Sequence, residues 1–194
     1  MSSHPRSAGQ PHRVRPARAA DLKHLAGIEE AGGPLFEEVF GDTLLPSGGD
    51  PLMSPAPRGG DRADTPGFLL VVGPVGEPVA FAHVQVVEGF AYLAQLSVHP
   101  DAMRQGIGSA LVRAAMREAW ELGYDRLSLT TYRDVPWNGP FYAGLGFVEA
   151  TEPEPFELRF RDQERRMGLD RHGPRVVMHI ALRPGRRGRE ATDG

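Results

Sequence analysis

Apolar positions recur at two periods along this chain, and the change of period marks its elements. Leu22, Leu25 and Ile28 follow helical spacing behind Asp21, a residue suited to cap a helix, and Gly32-Gly33-Pro34 stops the run. Leu35, Phe36, Val39 and Phe40 predict a second short helix ended by Gly41. Residues 12–15, ahead of Pro16, predict an edge strand. Residues 68–72 form a continuous apolar run, 73–77 a turn with two glycines and a proline, and 78–87 the partner strand. Glu88-Gly89 turns the chain into a further strand over 91–99, ended by Pro100. These segments make an antiparallel meander.

The period then becomes helical over 108–122. Leu111, Val112, Ala115, Met116, Ala119, Trp120 and Leu122 fall on one arc, while Arg113, Arg117, Glu118 and Glu121 fall on the other, with Gly123 at the expected end. Leu127 and Leu129 alternate with Ser128 and Thr130, a strand over 126–131. Strand, helix and strand in this order predict a parallel pair with a crossover helix. A short helix over 138–144, a strand near Phe147, a charged helix over 156–169 and a closing strand over 175–182 complete the pattern. Residues 42–66 are rich in Pro and Gly and long for a structureless connection, which predicts a disordered or lid segment.

Composition narrows the reading. A chain of 194 residues with 40% hydrophobic content suits one domain, here 12–182, between a disordered tail 1–11 and a basic disordered tail 183–194. No apolar run is long enough to span a bilayer and 1–11 holds no apolar stretch, so a soluble, cytoplasmic protein without a membrane partner is expected. A net charge of -3 gives no electrostatic case for nucleic acid. With no cysteine, disulfides, thiolate nucleophiles and Cys-bound zinc are excluded, and His83, His99 and His179 show no ligand spacing, so no metal is expected.

The most informative stretch runs from Leu96-Ser97-Val98 through Arg104-Gln105-Gly106-Ile107-Gly108 into the helix beginning Ser109-Ala110. A helix N-terminus presents unpaired N–H groups and partial positive charge, and glycines let backbone approach an anion closely. Arg104 adds a charged donor. A P-loop needs a lysine where Ser109-Ala110 follow Gly108, and a dinucleotide fingerprint needs a third glycine where Leu111 stands. Both remain minor alternatives, and a tight strand-to-helix turn without ligand is the plain structural one.

Met103-Arg104-Gln105-Gly106-Ile107-Gly108 resembles the Gln/Arg-x-x-Gly-x-Gly/Ala turn of the GNAT superfamily of N-acetyltransferases, departing from it at Met103. Asn138-Gly-Pro-Phe-Tyr-Ala-Gly-Leu-Gly-Phe147 resembles that family's second motif, in the right order and spacing. The resemblance implies an α/β (α+β) fold, with a central, mainly antiparallel mixed sheet, helices on both faces, and two strands splayed where the cofactor arm enters. It implies acetyl transfer from acetyl-CoA to a primary amine of a small molecule or protein, by direct attack in a ternary complex. Leu96, Ser97 and Val98 would hold the pantetheine arm and thioester carbonyl. Arg104, Gln105, Gly106, Ile107, Gly108, Ser109 and Ala110 would hold the pyrophosphate. Asn138 would contact the arm, and Tyr142 would protonate the leaving thiolate. By the same analogy the C-terminal strand and the segment before it would support a homodimer.

The general base is not evident, because Ala94 and Gln95 cannot accept a proton at neutral pH where relatives carry Glu. Gln95 could position a water, and Glu30 or Glu37 on the helical segment could bind the amine. A non-catalytic acyl-CoA-binding or regulatory module is the alternative function.

Overall fold

The structure is a computed structural model, and it describes residues 13–41 and 56–182. In chain order the elements are β1 (Val14–Pro16), α1 (Ala19–Glu30), α2 (Gly33–Phe40), α3 (Gly59–Ala63), β2 (Gly67–Val72), β3 (Ala80–Val87) and β4 (Phe90–Val98). Then follow α4 (Ile107–Glu121), β5 (Arg126–Tyr132), α5 (Gly139–Gly144), β6 (Val148–Glu149), α6 (Pro155–Arg166) and β7 (Arg175–Ala181). Both tails and most of the Pro/Gly-rich stretch lie outside the described residues. Where that stretch is described, it folds into α3. No described helix is long and apolar enough to cross a membrane.

The seven strands form one mixed sheet in the order β1-β2-β3-β4-β5-β7-β6, antiparallel throughout except for β4 beside β5. Alternation along the strands sends one set of side chains to each face. Leu70, Val72, Ala82, Leu93 and Leu129 pack on one face with Leu111, Val112, Ala115 and Ala119 of α4. Val71 and Phe81 point to the other face and pack with Leu25 and Ile28 of α1. The apolar arc of α4 is therefore the buried one along most of its length. It fails only at its C-terminal end, where Trp120 and Leu122 are exposed.

Asp21 does not cap α1 as expected. The helix starts two residues earlier, and Asp21 reaches back to accept the Arg18 N–H at 2.7 Å. It also takes a two-pronged bond from the Arg15 guanidinium and accepts the Gly76 N–H at 2.8 Å. These bonds tie α1 to β1 and to the β2–β3 turn, and they hold the buried Asp21 carboxyl well below the usual carboxylate range. The charged helix α6 ends at Arg166, earlier than its composition predicts, and a short 3-10 turn over Leu169–His172 leads to β7. Strand β7 has neighbours on both sides, β5 and β6. The sheet edge at that end belongs to the two-residue β6.

Candidate functional site

Two features of β4 open the sheet at its centre. Val84 pairs with Leu93 but His83 pairs with Gln95, so Ala94 is an extra residue and β4 bulges there. On its other side β4 pairs with β5 only at Ala91–Leu127 and Tyr92–Ser128. Beyond Tyr92 the two parallel strands part, leaving main-chain groups from Leu93 to Val98 without a β5 partner. A cavity of about 530 Å³ occupies this fork, lined by Tyr92 to Val98 on one side and by Leu129 to Tyr132 on the other.

Beyond β4, the chain turns through residues with left-handed backbone, Arg104 at φ 59° and Gly106 at φ 79°, into α4. Gly106 occupies the helix-capping position without a side-chain cap, so the first amides of α4 have no carbonyl within the helix to bond. Gly108 lies against the end of β4. A Cβ on it would come within 3.8 Å of Val98 and 3.5 Å of the Phe141 ring. Arg104, Gln105 and Gly106 are exposed, and Ile107 is buried as an anchor for the helix. The turn thus presents free amides and one exposed arginine beyond the end of β4; residues 104–110 are not themselves part of the cavity lining, which reaches toward them at Val98 and Met103.

Asn138 and Tyr142 both line the cavity. The Asn138 carbonyl accepts the Tyr142 N–H at 3.0 Å, which fixes the start of α5. Tyr142 is buried between Phe141 and Phe147, with ring centroids 5.0 and 5.7 Å away. Burial, and to a lesser degree Tyr92, pushes its phenol pKa up, so it stays a proton donor.

The remaining expected residues divide. Gln95 lines the cavity and its amide donates to Ser97 Oγ at 2.9 Å. Glu30 and Glu37 are exposed and do not belong to the lining; the carboxylate that α1 turns to the cavity is Glu29. Glu29 is ion-paired with the buried Arg62 of α3, and burial pushes its pKa up against that pairing. Among the histidines, His99 accepts the Asp101 N–H and His179 bonds the buried Glu157, while His83 is buried beside Arg62. No group of three or more His, Asp or Glu is placed to hold a metal among the described residues.

Sequence reasoning missed a polar cluster in the crotch of the fork. Thr130 donates to Glu164 of α6 at 2.9 Å, and Tyr92 shares a 2.7 Å bond with Thr130. Arg175 grips Glu164 through Nε and Nη2 and lies 4.5 Å over the Tyr132 ring. Period-2 alternation alone places Tyr92 and Thr130 on one face, but nothing local links them to α6 or β7.

The acetyltransferase (GNAT) family pattern matches residues 36–147, more than half of the chain, from within α2 to just past the end of α5. The chain belongs to the GNAT acetyltransferase family. The GNAT fold is shared with solved structures. The N-acetylglutamate synthase of Neisseria gonorrhoeae, complexed with coenzyme A and N-acetyl-glutamate, has a TM-score of 0.61 at 21% identity, over 88% of this chain and 35% of that one. This chain therefore spans about a third of that relative. The ribosomal-protein-S18-alanine N-acetyltransferase of Escherichia coli has a TM-score of 0.54 at 21% identity, over 90% and 97% of the two chains. An aminoglycoside 6'-N-acetyltransferase complexed with coenzyme A has a TM-score of 0.58 at 16% identity, over 89% and 98%. Within this GNAT chain the family's match spans both the Gly106 turn and the Asn138–Phe147 motif, the two stretches that flank the fork.

Proposed function

We propose that this GNAT protein transfers an acetyl group from acetyl-CoA to a primary amine by direct attack within a ternary complex. The observation that carries the reading is the fork where unpaired β4 main chain meets the buried phenol of Tyr142, with the uncapped amides of α4 following just beyond the end of β4.

The fit of coenzyme A rests on that geometry. Its diphosphate suits the amides from Gly106 to Ser109, with Arg104 and Gln105 at the rim; the Ala110 N–H, expected among them, is already donated to the Gly106 carbonyl at 3.0 Å. Its pantetheine arm is an extended chain of amides, matched by the open edge of Leu96, Ser97 and Val98, with Asn138 opposite. Gly108, whose missing Cβ would stand 3.8 Å from Val98, places the helix end beside the end of that open edge. When bound, acetyl-CoA supplies an acyl group already activated as a thioester.

The protein's own groups then have separate tasks. A β4 amide on the open edge, such as that of Val98, faces the thioester oxygen and stabilises its developing charge without reorganisation. The Tyr142 hydroxyl donates its proton to the sulfur as the carbon–sulfur bond breaks. The amine nitrogen forms the new bond to the acyl carbon and gives up its proton to a solvent water positioned by Gln95, whose amide is fixed by its bond to Ser97 Oγ. No cysteine is present to form a covalent intermediate, which favours direct attack. A homodimer at the C-terminal end would use the exposed β6 edge, and sedimentation of the full chain tests it.

Thiol release from acetyl-CoA across a panel of amines tests the reading, with the Tyr142→Phe variant alongside. Turnover by the wild type and its loss in the variant is expected. Tight coenzyme A binding with no turnover of any amine would favour the alternative, a non-catalytic acyl-CoA-binding module. Thermal stabilisation by ATP or NAD but not by acetyl-CoA would contradict both.

A further inference from the structure

The charges lining the cavity are already spent on one another. Among the described lining residues only Glu29, Glu164 and Arg175 are charged. Glu29 pairs with Arg62, and Glu164 pairs with both Arg175 and Arg161. Arg161 is balanced further by Asp170 at 3.0 Å. Among the described lining residues the only carboxylate oxygen left without a bond is Glu29 Oε1, so one amine can be met there but not a second ammonium group, and no arginine of the lining is left unpaired for a substrate carboxylate. A polyamine, an aminoglycoside or an α-amino acid would each leave at least one buried charge unmet, at high cost.

Apolar surface does the remaining work. The wall built by α2 and the segment after β5 is a run of aromatic rings. Phe36 meets Trp137 edge-on with centroids 5.9 Å apart, and it lies 6.3 Å from Tyr132. Phe40 lies 5.1 Å from Tyr132. Phe160 of α6 also lines the cavity, its ring tilted against Tyr92 with centroids 5.1 Å apart. Trp137 lines the cavity and is 39% exposed, so its packing against Phe36 does not seal it from solvent. Such walls favour a flat apolar group, and they tolerate one cationic nitrogen over their faces.

We infer that the acceptor is a monoamine carried on an apolar aromatic body, an arylalkylamine, seated between Phe36, Trp137 and Phe160 with its nitrogen toward Glu29. This inference rests on the acetyl-transfer reading and narrows its substrate class. Glu29 suits the single nitrogen because its pairing with Arg62 engages Oε2 and leaves Oε1 to accept one N–H bond.

The test compares phenethylamine, ethylamine, spermidine and L-glutamate as acceptors with acetyl-CoA. Phenethylamine is expected to exceed ethylamine in kcat/KM by about tenfold or more, the equivalent of burying one ring. Trp137→Ala is expected to lower that ratio about tenfold. A preference for spermidine or glutamate, or a ratio unmoved by Trp137→Ala, overturns the inference while acetyl transfer stands. A binding arm separates the two readings. Trp120 lies exposed on α4, so a Trp120→Phe background leaves Trp137 as the single reporter. Saturable quenching of its fluorescence by phenethylamine, and not by spermidine, in the presence of coenzyme A supports the aromatic site even if no amine turns over. In that event only the transfer reading fails. Absence of such quenching together with absence of phenethylamine turnover overturns the aromatic site.

Discussion

The Tyr92 hydroxyl lies 2.7 Å from Thr130 Oγ1, directly beyond the last main-chain pair between β4 and β5. Thr130 spends its single proton on Glu164, so Tyr92 is the donor in this bond. The side chains thus take over the tie between the two strands where the ladder stops. Burial, opposed in part by this bond, pushes the Tyr92 phenol up to about 12, consistent with a permanently protonated donor. The fork is held at a set opening by a neutral O–H on one arm and a hydroxyl anchored through Glu164 to Arg175 on the other.

Removing that tie should loosen the fork without unfolding it. Tyr92→Phe leaves Thr130 still bonded to Glu164, so no buried donor is orphaned. A loss of about 1 kcal/mol is expected in urea denaturation, the usual net value of one hydrogen bond. Coenzyme A affinity should fall alongside it, measured by calorimetric titration. Unchanged affinity would separate the tie from the binding site.

Tyr142→Phe should act on chemistry alone. The phenol has no hydrogen-bond partner among the described residues, so its loss leaves the packing against Phe141 and Phe147 intact. Stability and coenzyme A affinity should hold, while kcat drops about a hundredfold, the scale of one general acid. The raised pKa gives the sign of the pH dependence. The hydroxyl acts when protonated, so no alkaline loss of rate from this group is expected as pH rises to its ordinary value of 10.0. A kcat–pH profile that fell earlier, and lost that limb in the variant, would contradict the assignment.

Gly106→Ala should strain the turn. There is open space for a Cβ at this position, but φ of 79° is costly for any other residue. Stability should fall by about 1–2 kcal/mol, and coenzyme A binding should weaken further because the amides lose their setting. Gly108→Ala is the contrast. Its backbone is helical and its nearest neighbours stand at ordinary contact distance, so it should be milder in both measurements.

His83 predicts an acid limit to stability. It is buried on the α1 face, and burial, then the nearby Arg62 charge, lowers its pKa to about 4 from 6.5. Between these values the unfolded chain binds a proton that the folded chain refuses. The folded state therefore keeps its full stability above pH 6.5 and loses it as pH falls toward 4, by up to about 3 kcal/mol. Denaturation curves of the wild type should show this slope, and those of His83→Gln should be flatter.

Local pattern carried the elements well because each strand and helix buries one face against the sheet, and burial imposes the period. Leu111, Ala115 and Ala119 on α4, and Leu127 and Leu129 on β5, show this directly. The pattern misled at Trp120 and Leu122, since helix period continues past the end of the sheet that would cover it. The Gly106 turn and the Asn138 motif were legible as family features because each lies within one short run of chain. The acceptor wall was not. Glu29, rather than Glu30 or Glu37, faces the cavity because of the angle at which α1 lies on the sheet, and one residue is 100° of helix rotation. The Ala94 bulge and the grip of Arg175 on Glu164 join distant segments, and no local spacing encodes them.

Backbone amide NMR of the 21.1 kDa chain during titration with coenzyme A reads the proposed contact most directly. The amides of Gly106 to Ser109 should move furthest and downfield, followed by those of Leu96 to Val98. Shifts confined to other segments, or none at saturating coenzyme A, would contradict the site at the fork.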